Sequence, residues 1–242
     1  MLDKRRDKFC FAGHDLSDLV MVRVQRPVMA PVEVGVQEVV GSPGAFTSAP
    51  RLTSYSLPVE LWLRVEDRRA VAAARHRLAA CLYSAEPAPL VLPDDPERYL
   101  LAVVEGQTDL GVISDDLPHC TVTFRVTDPV AYGAMRTAAL GTTFKQVDAG
   151  GTWQAYPVIH AVPPANTNSF TITDKTSGKT FAVAGIFDGT SELTVHMDTE
   201  RALYKGNQLE ISPSSEAIAI EGVHELKVSS GTATLDWRER WL

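Results

Sequence analysis

The stretch from Trp62 to Gly106 constrains the fold of this chain more than any other part of it. Its pattern predicts a strand, then one helix over about residues 67–84, then a proline-rich loop and another strand. Most of the remaining sequence consists of short strand-like runs separated by turn residues. A lone helix in such a chain has to pack on a sheet, because its apolar stripe must be buried against another element. The sequence therefore predicts a mainly β protein with a single α-helix.

The helix is predicted to begin near Asp67, an N-cap type of residue, and to end before Pro87, because proline disfavours helix in the residue that precedes it. Cys81 falls on the apolar side and is interpreted as a small core residue. A narrow apolar stripe at three- and four-residue spacing suits a helix that lies on a sheet; its members are Val71, Arg75, Leu78, Ala79 and Leu82.

Two domains are expected from the 242 residues and from the spacing of the predicted strands. The first is predicted to span residues 1–140 and to contain the single helix. The second, residues 141–242, shows short strands at close spacing, among them Ala217–Ile220, with turn signals between them. That pattern predicts an antiparallel β-sandwich.

A loop rich in glycine, proline and serine, GSPGAFTSAPR, occupies residues 41–51 and is predicted to form no regular element. It follows residues 32–40, whose alternation of apolar and polar residues predicts a half-buried strand. The loop is long for a hairpin and is expected to project as an arm. Candidates for contact with another subunit are therefore Ser42, Pro43, Phe46 and Arg51.

Composition argues against several function classes. The net charge of −7 repels nucleic acid, and the run LDKRRDK at residues 2–8 is diluted by two aspartates. Three distant cysteines form neither a disulfide framework nor a zinc pattern. No apolar run approaches the ~20 residues of a membrane span, and the beginning of the sequence is unlike a signal peptide. A soluble protein made in the cytoplasm is expected.

No motif for catalysis, metal or cofactor binding is recognisable. The six histidines are scattered, and neither a phosphate-binding glycine loop nor a nucleophile elbow is present. Asp94–Asp95 and Asp115–Asp116 lack the alternating spacing of calcium ligands and are interpreted as turn residues. The sequence predicts no enzyme activity, no cofactor and no metal.

The tryptophans allow two interpretations. Trp62, Trp153, Trp237 and Trp241 are favoured as core or interface anchors. The alternative is a sugar-stacking platform, for which Trp153 and Tyr156 are the candidate glycan contacts. The charged, aromatic C-terminus is expected to form a strand that packs on a neighbour, so Arg238 and Trp241 are further interface candidates.

Four segments carry a recognisable series of motifs: FAGHDLSDLVMVRV (11–24), RLAACLYSAEPAPLVLPDDPERYLLAVVEG (77–106), VTFRVTDPVAYG (122–133) and DWRERWL (236–242). In this order, over nearly the full length, they resemble the distal tail protein family, or siphophage tail component family, of long-tailed bacteriophages and related tail-like particles. Val126-Thr127 and Val130 depart from the cysteine and tyrosine that the family often has there. Those are packing positions, so the resemblance stands.

The resemblance implies two β-rich domains: an N-terminal β-sandwich with one helix, and a C-terminal sandwich that is galectin-like or carbohydrate-module-like. It also implies a structural tail-tip protein whose N-terminal domains form a hexameric ring between the tail tube and the baseplate or fibre proteins. The implied partners are further copies of the chain, the tail tube protein, the tape measure protein, and a tail-associated lysin or a fibre or receptor-binding protein. DNA would pass through the lumen without specific binding. The implied location is the virion, after assembly in the host cytoplasm.

Two other functions remain open at the level of sequence. One is a carbohydrate-binding adhesion module that recognises a host cell-surface glycan, which is compatible with a place at the tail tip. The other is a polysaccharide-degrading enzyme, disfavoured because no acid/base pattern is recognisable. The acidic composition suits a channel through which DNA slides without sticking.

Overall fold

The structure, a computed structural model, describes residues 8–41, 43–67, 69–112 and 118–242. They form two compact units: the residues up to Ala131 together with Leu242, and Tyr132–Trp241. The prediction of a mainly β chain with one helix is confirmed for the described residues. The predicted boundary between residues 140 and 141 falls at the end of a long strand, Ala131–Leu140. The domain limits themselves stay a prediction.

The first unit is built on one antiparallel sheet. Its described elements are β1 (Cys10–Phe11), β2 (His14–Asp15), β3 (Val20–Val24), β4 (Val32–Glu33), β5 (Val36–Glu38), β6 (Ala45–Thr47), β7 (Arg51–Leu52), β8 (Tyr55–Leu63), α1 (Ala70–Leu82), β9 (Ala88–Leu92), β10 (Asp95–Glu105), β11 (Gly111–Val112) and β12 (Pro118–Val126). The sheet runs in the order β3-β8-β12-β10-β9-β1-β2, with β11 paired to β12. Within the described part of the chain, strands β4 to β7 pair only with one another, as two short ladders.

Strands β8 and β12 pair along their whole length, and both alternate strictly between apolar and polar residues. Their inward side chains are buried: Leu57, Val59, Leu61 and Leu63 on β8, and Cys120, Val122, Phe124 and Val126 on β12. The ring of Phe11 meets that of Phe124 edge-on, with centroids 5.2 Å apart. Both strands were predicted from this alternation, with ends that differ by one or two residues.

Helix α1 is shorter than predicted. The Asp67 carboxylate accepts the N–H of Ala70 at 2.9 Å, so it satisfies one free donor at the start of the helix. The buried helix residues recur every four positions: Ala74, Leu78 and Leu82. The predicted stripe was therefore too wide. Arg75 and Ala79 lie one position further around the helix and are exposed, and Cys81 is only half-buried.

The second unit contains two antiparallel sheets. Its strands are β13 (Ala131–Leu140), β14 (Lys145–Asp148), β15 (Val158–Val162), β16 (Ser169–Asp174), β17 (Thr180–Ala184), β18 (Leu193–His196), β19 (Arg201–Tyr204), β20 (Asn207–Gln208), β21 (Glu210–Ile211), β22 (Val223–Val228) and β23 (Thr232–Trp241). One sheet runs β13-β23-β15-β18-β19-β20, and the other runs β14-β22-β16-β17-β21.

A single hydrophobic core lies between these two sheets, which confirms the predicted sandwich. Phe170 and Phe181 enter it from β16 and β17, and Val195 and Leu235 enter it from β18 and β23. The indole N–H of Trp237 donates to the carbonyl of Ala149 at 2.7 Å, so this large ring is buried without an unpaired donor.

In the second unit two strands were missed and one predicted strand was wrong. Strands β13 and β14 were not predicted, since AYGAMRTAAL in β13 is rich in small residues of low strand propensity. The predicted strand Ala217–Ile220 is not formed: Ile220 exchanges its two backbone hydrogen bonds with Ala155 alone, as an isolated bridge. In both cases, hydrogen bonding to a neighbouring strand decides whether the segment becomes a strand, and the strand propensity of its own residues does not.

Candidate functional site

A two-stranded ribbon leaves the first unit between β3 and β8, and we call its residues 31–53 the arm. Near its base β4 pairs with β7, and further out β5 pairs with β6. Between the two ladders the N–H of Ser48 donates to the carbonyl of Gly35 at 2.8 Å, and the N–H of Gly35 donates to the Ser48 hydroxyl at 2.9 Å. The expected projecting segment is thus a hydrogen-bonded ribbon rather than an irregular loop.

The arm exposes most of its apolar side chains. All described residues from Pro31 to Pro50 are exposed, and Phe46 keeps 70% of its surface open. The large exposed apolar residues are Val32, Val34, Val36, Val39, Val40 and Phe46. A lone two-stranded ribbon is at best marginally stable in water, and a large exposed apolar surface marks an interaction site. The arm is therefore the strongest candidate for contact with another protein chain.

Several predictions about this region need correction. Residues 41–51 do not lack regular structure, because they include β6 and form most of the returning side of the ribbon. Residues 32–40 are not a half-buried strand, because both faces of the ribbon are exposed. Pro43, Phe46 and Arg51 lie exposed on the arm, whereas Ser42 lies outside the described residues. The apolar valines of the outgoing side are the contact candidates that sequence reasoning missed.

A groove of about 620 Å³ lies beside α1 in the first unit. Its floor is apolar and includes Leu78, Leu82 and Cys120, and its rim carries Arg75 and Asp109. Burial raises the pKa of the Cys120 thiol, so the side chain behaves as a neutral apolar group. The groove is suited to an apolar side chain on its floor and to a charged group at its rim.

The second unit carries a polar cleft of about 510 Å³. Tyr156, one of the predicted glycan contacts, lies at its wall and is 38% exposed. The Tyr156 hydroxyl donates to Gln154 Oε1 at 3.4 Å. The charged residues that line the cleft are Lys179, Glu200, Glu216 and Glu221. The cleft therefore combines one aromatic ring with several hydrogen-bonding groups.

A buried histidine–aspartate pair supports one side of this cleft. His224 Nδ1 donates to the Asp174 carboxylate at 2.7 Å, while its Nε2 accepts the N–H of Glu221 at 3.1 Å. Burial opposes ionisation of Asp174, but hydrogen bonds from Ser177, His224 and Thr176 outweigh it and lower the pKa of the carboxyl. Because both ring nitrogens of His224 are engaged, the pair fixes the loop and is not arranged as a catalytic base.

The other predicted contact residues lie in the C-terminal strand and beside it. Arg238 donates to the carbonyl of Gly133 at 2.9 Å, and the Trp241 ring lies against the same glycine. The N–H of Trp153 donates to the carbonyl of Arg240 at 3.0 Å, and its half-buried ring does not line the cleft. These contacts are internal to the second unit, and an interface role for them stays a prediction.

Of the two acidic pairs noted in the sequence, only Asp94–Asp95 lies within the described residues. Asp94 and Asp95 lie 3.4 and 3.8 Å from Arg26, whereas Asp115–Asp116 lies outside the described residues, as does most of the basic run 2–8. Within the described ranges no three His, Cys, Asp or Glu side chains lie close enough to hold a metal ion. No helix in those ranges is long and apolar enough to span a membrane.

Comparison with known proteins agrees with this two-unit β architecture. A model of the siphovirus-type tail component, C-terminal domain, matches residues 150–241, and a model of the phage tail protein RIFT-related domain matches residues 15–126. The fold and these two matches define a siphovirus-type tail component. The chain belongs to the distal tail protein family, as its sequence motifs predicted.

Solved structures share the fold over most of the chain. The SPP1 Dit (gp 19.1) protein, described as a paradigm of the hub adsorption apparatus in phages that infect Gram-positive bacteria, superposes with a TM-score of 0.82 at 20% identity, over 97% of this chain and 99% of that one. The activated, calcium-containing baseplate of phage P2 contains a chain with a TM-score of 0.50 at 10% identity, with 90% of each chain covered. No curated protein sequence matches this chain.

Membership of this family gives the chain its location. It is a virion protein of the phage tail tip and a distal tail hub protein. The family consists of structural tail proteins and is not a known enzyme family.

Proposed function

We propose that this hub protein assembles into a hexameric ring that joins the tail tube to the baseplate or fibre proteins. The exposed apolar arm is the observation that carries this proposal, because such a ribbon becomes stable only when a partner covers it. A cyclic ring needs two different complementary patches on each subunit. The arm supplies one of them on the first unit.

The ring would leave a central channel for DNA. The formal charge of −7 per chain gives the assembly a field that repels phosphate, so DNA would pass without specific binding. The proposed partners at the faces of the ring are the tail tube protein, the tape measure protein, and a tail-associated lysin or a fibre or receptor-binding protein.

Light scattering coupled to size-exclusion chromatography tests the ring. The expected species has six times the chain mass of 26.3 kDa, and negative-stain images should show six-fold particles with a central hole. The hexamer should be favoured at higher protein concentration, since association is driven by mass action. A monomer at every concentration up to the millimolar range would contradict the proposal.

We propose glycan binding by the second unit as an additional function, favoured by the position of Tyr156 in the polar cleft. Sugar-binding sites combine an aromatic face, which packs on the apolar face of a pyranose ring, with polar groups that bind its hydroxyls. The cleft offers the Tyr156 ring together with Gln154 and three glutamates. A galectin-like form of this sandwich stays a prediction.

Replacing Tyr156 with alanine tests the glycan site. On a glycan array the full-length chain should bind one class of neutral or amino sugar, and Tyr156→Ala should weaken that binding at least tenfold, because the stacking surface is lost. Tyr83→Ala is the matched control, since Tyr83 is an exposed tyrosine of the first unit. Equal binding by both variants, or no binding by the unaltered chain, would refute the site.

A further inference from the structure

We propose that the outer face of the sheet β14-β22-β16-β17-β21 binds an anionic polysaccharide, with Lys175 and Lys227 holding its acidic groups. We call this surface the lysine–threonine face, and its members are Phe144, Thr171, Thr173, Lys175, Thr180 and Lys227. It shares none of these residues with the cleft at Tyr156. The proposal is therefore independent of that cleft and of the ring.

An exposed aromatic ring gathers two ammonium groups at one end of the lysine–threonine face. Phe144 precedes β14 and keeps 41% of its surface open. The ammonium nitrogen of Lys227 lies 4.6 Å from the centre of the Phe144 ring, and that of Lys175 lies 5.6 Å from the same point. Each cation is attracted by the negative face of the ring. The ring thus holds two donors of like charge close together.

The charge of this lysine pair is only half compensated. Lys175 forms an ion pair with Glu225 at 2.5 Å, whereas Lys227 is half-buried and forms no ion pair with any described residue. Like charges repel each other, and partial burial strengthens the repulsion. An anion that accepts hydrogen bonds from both ammonium groups would relieve it. The pair is therefore suited to an acidic group of a ligand.

A row of hydroxyl groups continues from the lysines across the sheet. Thr173 on β16 pairs directly with Lys227 on β22 and with Thr180 on β17. Thr171 lies two residues along β16 and on the same face, because side chains alternate along a strand. Neighbouring strands lie about 5 Å apart, so the row extends roughly 10 Å beyond Lys227. The face therefore offers hydroxyl groups to a ligand that continues past its acidic group.

The composition of the face favours a sugar polymer over other polyanions. A protein partner would need large apolar or aromatic anchors, but the outward side chains of β16 and β17 are small: Ser169, Thr171, Thr173, Thr180, Ala182 and Ala184. Duplex DNA needs a dense basic surface, and the net charge of −7 opposes its binding. An acidic polysaccharide needs only a few cations, since its many hydroxyls can bond to threonine hydroxyls.

Binding to immobilised dextran sulfate at low salt, measured by biolayer interferometry, tests the face. The unaltered chain should bind this polymer at least tenfold more tightly than neutral dextran of the same length, and added salt should weaken the binding by screening the charges. Lys175→Gln/Lys227→Gln should lose at least tenfold in affinity, because two charge-assisted hydrogen bonds disappear. Arg201→Gln/Lys205→Gln is the matched control, since it removes the same charge from β19 and the turn after it and should bind normally.

A second variant separates the role of the ring from that of the total charge. Phe144→Leu keeps both lysines but removes the ring that gathers them, so it should weaken binding about threefold. Because Phe144 is 41% exposed, the thermal midpoint should change by only a few degrees. Equal losses in the lysine variant and its control, or full affinity in Phe144→Leu, would overturn the site.

A comparison of polymers tests the class of ligand. Polyglutamate that binds the unaltered chain as tightly as dextran sulfate would overturn the proposal, because an acidic protein segment would then fit the face equally well. Failure to bind either anionic polymer would also overturn it. Neither result would affect the ring or the cleft at Tyr156, since both are built from other residues.

Discussion

Replacing Gly151 with alanine is expected to destabilise the second unit by about 3 kcal/mol or more, which is the sum of a left-handed backbone penalty and a steric clash. Gly151 has φ +75°, and a Cβ at this position would lie 2.2 Å from the carbonyl oxygen of Arg240. That oxygen accepts the N–H groups of Thr152 and Trp153 at 2.9 and 3.0 Å. Because the obstructing atom is backbone, β23 would have to move and these hydrogen bonds would be lost.

Gly178→Ala is the matched control, because Gly178 has the same φ of +75° but nothing within 4 Å of the added Cβ. It should lose about 1 kcal/mol, from the backbone penalty less a small gain through the unfolded state. Urea unfolding followed by tryptophan fluorescence measures both variants, since three of the four tryptophans lie in the second unit. If both variants lost the same free energy of unfolding, the structure would relieve the 2.2 Å contact without an energetic cost.

Removal of the arm is expected to abolish the hexamer while leaving the subunit folded. Replacing residues 33–51 with an Asn-Gly turn deletes Val34, Val36 and Phe46 among others, and all the described residues in that range are exposed. No core contact is lost, so the thermal midpoint of the monomer should change by only a few degrees. Each apolar side chain buried in the ring contributes roughly 1.5–3 kcal/mol of association free energy, so their joint loss should leave only monomer at micromolar concentration.

A point variant separates loss of the apolar contact from a change in chain length. Phe46→Glu should reduce ring assembly strongly, because it would place a carboxylate on an apolar surface. Ile186→Glu is the control, since Ile186 is 79% exposed in the second unit. Sizing by light scattering gives the readout. Intact hexamers after removal of the arm would mean that other surfaces close the ring.

The sequence was informative wherever local pattern and burial coincide. Strands β8 and β12 were predicted because one face of each is fully buried, so that strict alternation is required. Helix α1 was predicted because Leu78 and Leu82 recur at helical spacing and Pro87 limits its extent. The family motifs lie mainly in the same well-packed segments, which explains why the family was recognised from them.

The candidate binding surfaces were less predictable from the sequence. They depend on which residues stay exposed and which loops come together in the folded chain, and a local sequence pattern shows neither. Val32–Val40 has the alternation of a half-buried strand, and only the structure shows that no described residue of the first unit covers it. Tyr156 was selected for its ring alone, whereas Lys179 and Glu216 reach the same cleft from other loops. Strand β13 was missed because its pairing with β23 compensates for weak local preference.

The arm also poses a hazard before assembly. A ribbon with valines and free strand edges is a template for uncontrolled pairing between copies, which leads to aggregation. Pro31, Pro43 and Pro50 are spaced along it, and prolines interrupt such pairing because they lack an N–H donor. Glu33 lies directly opposite Arg51, and charges on an exposed strand hinder edge-to-edge stacking. These residues are expected to keep newly made subunits dispersed until the tail tip is built, so that the same ribbon yields closed rings rather than fibres.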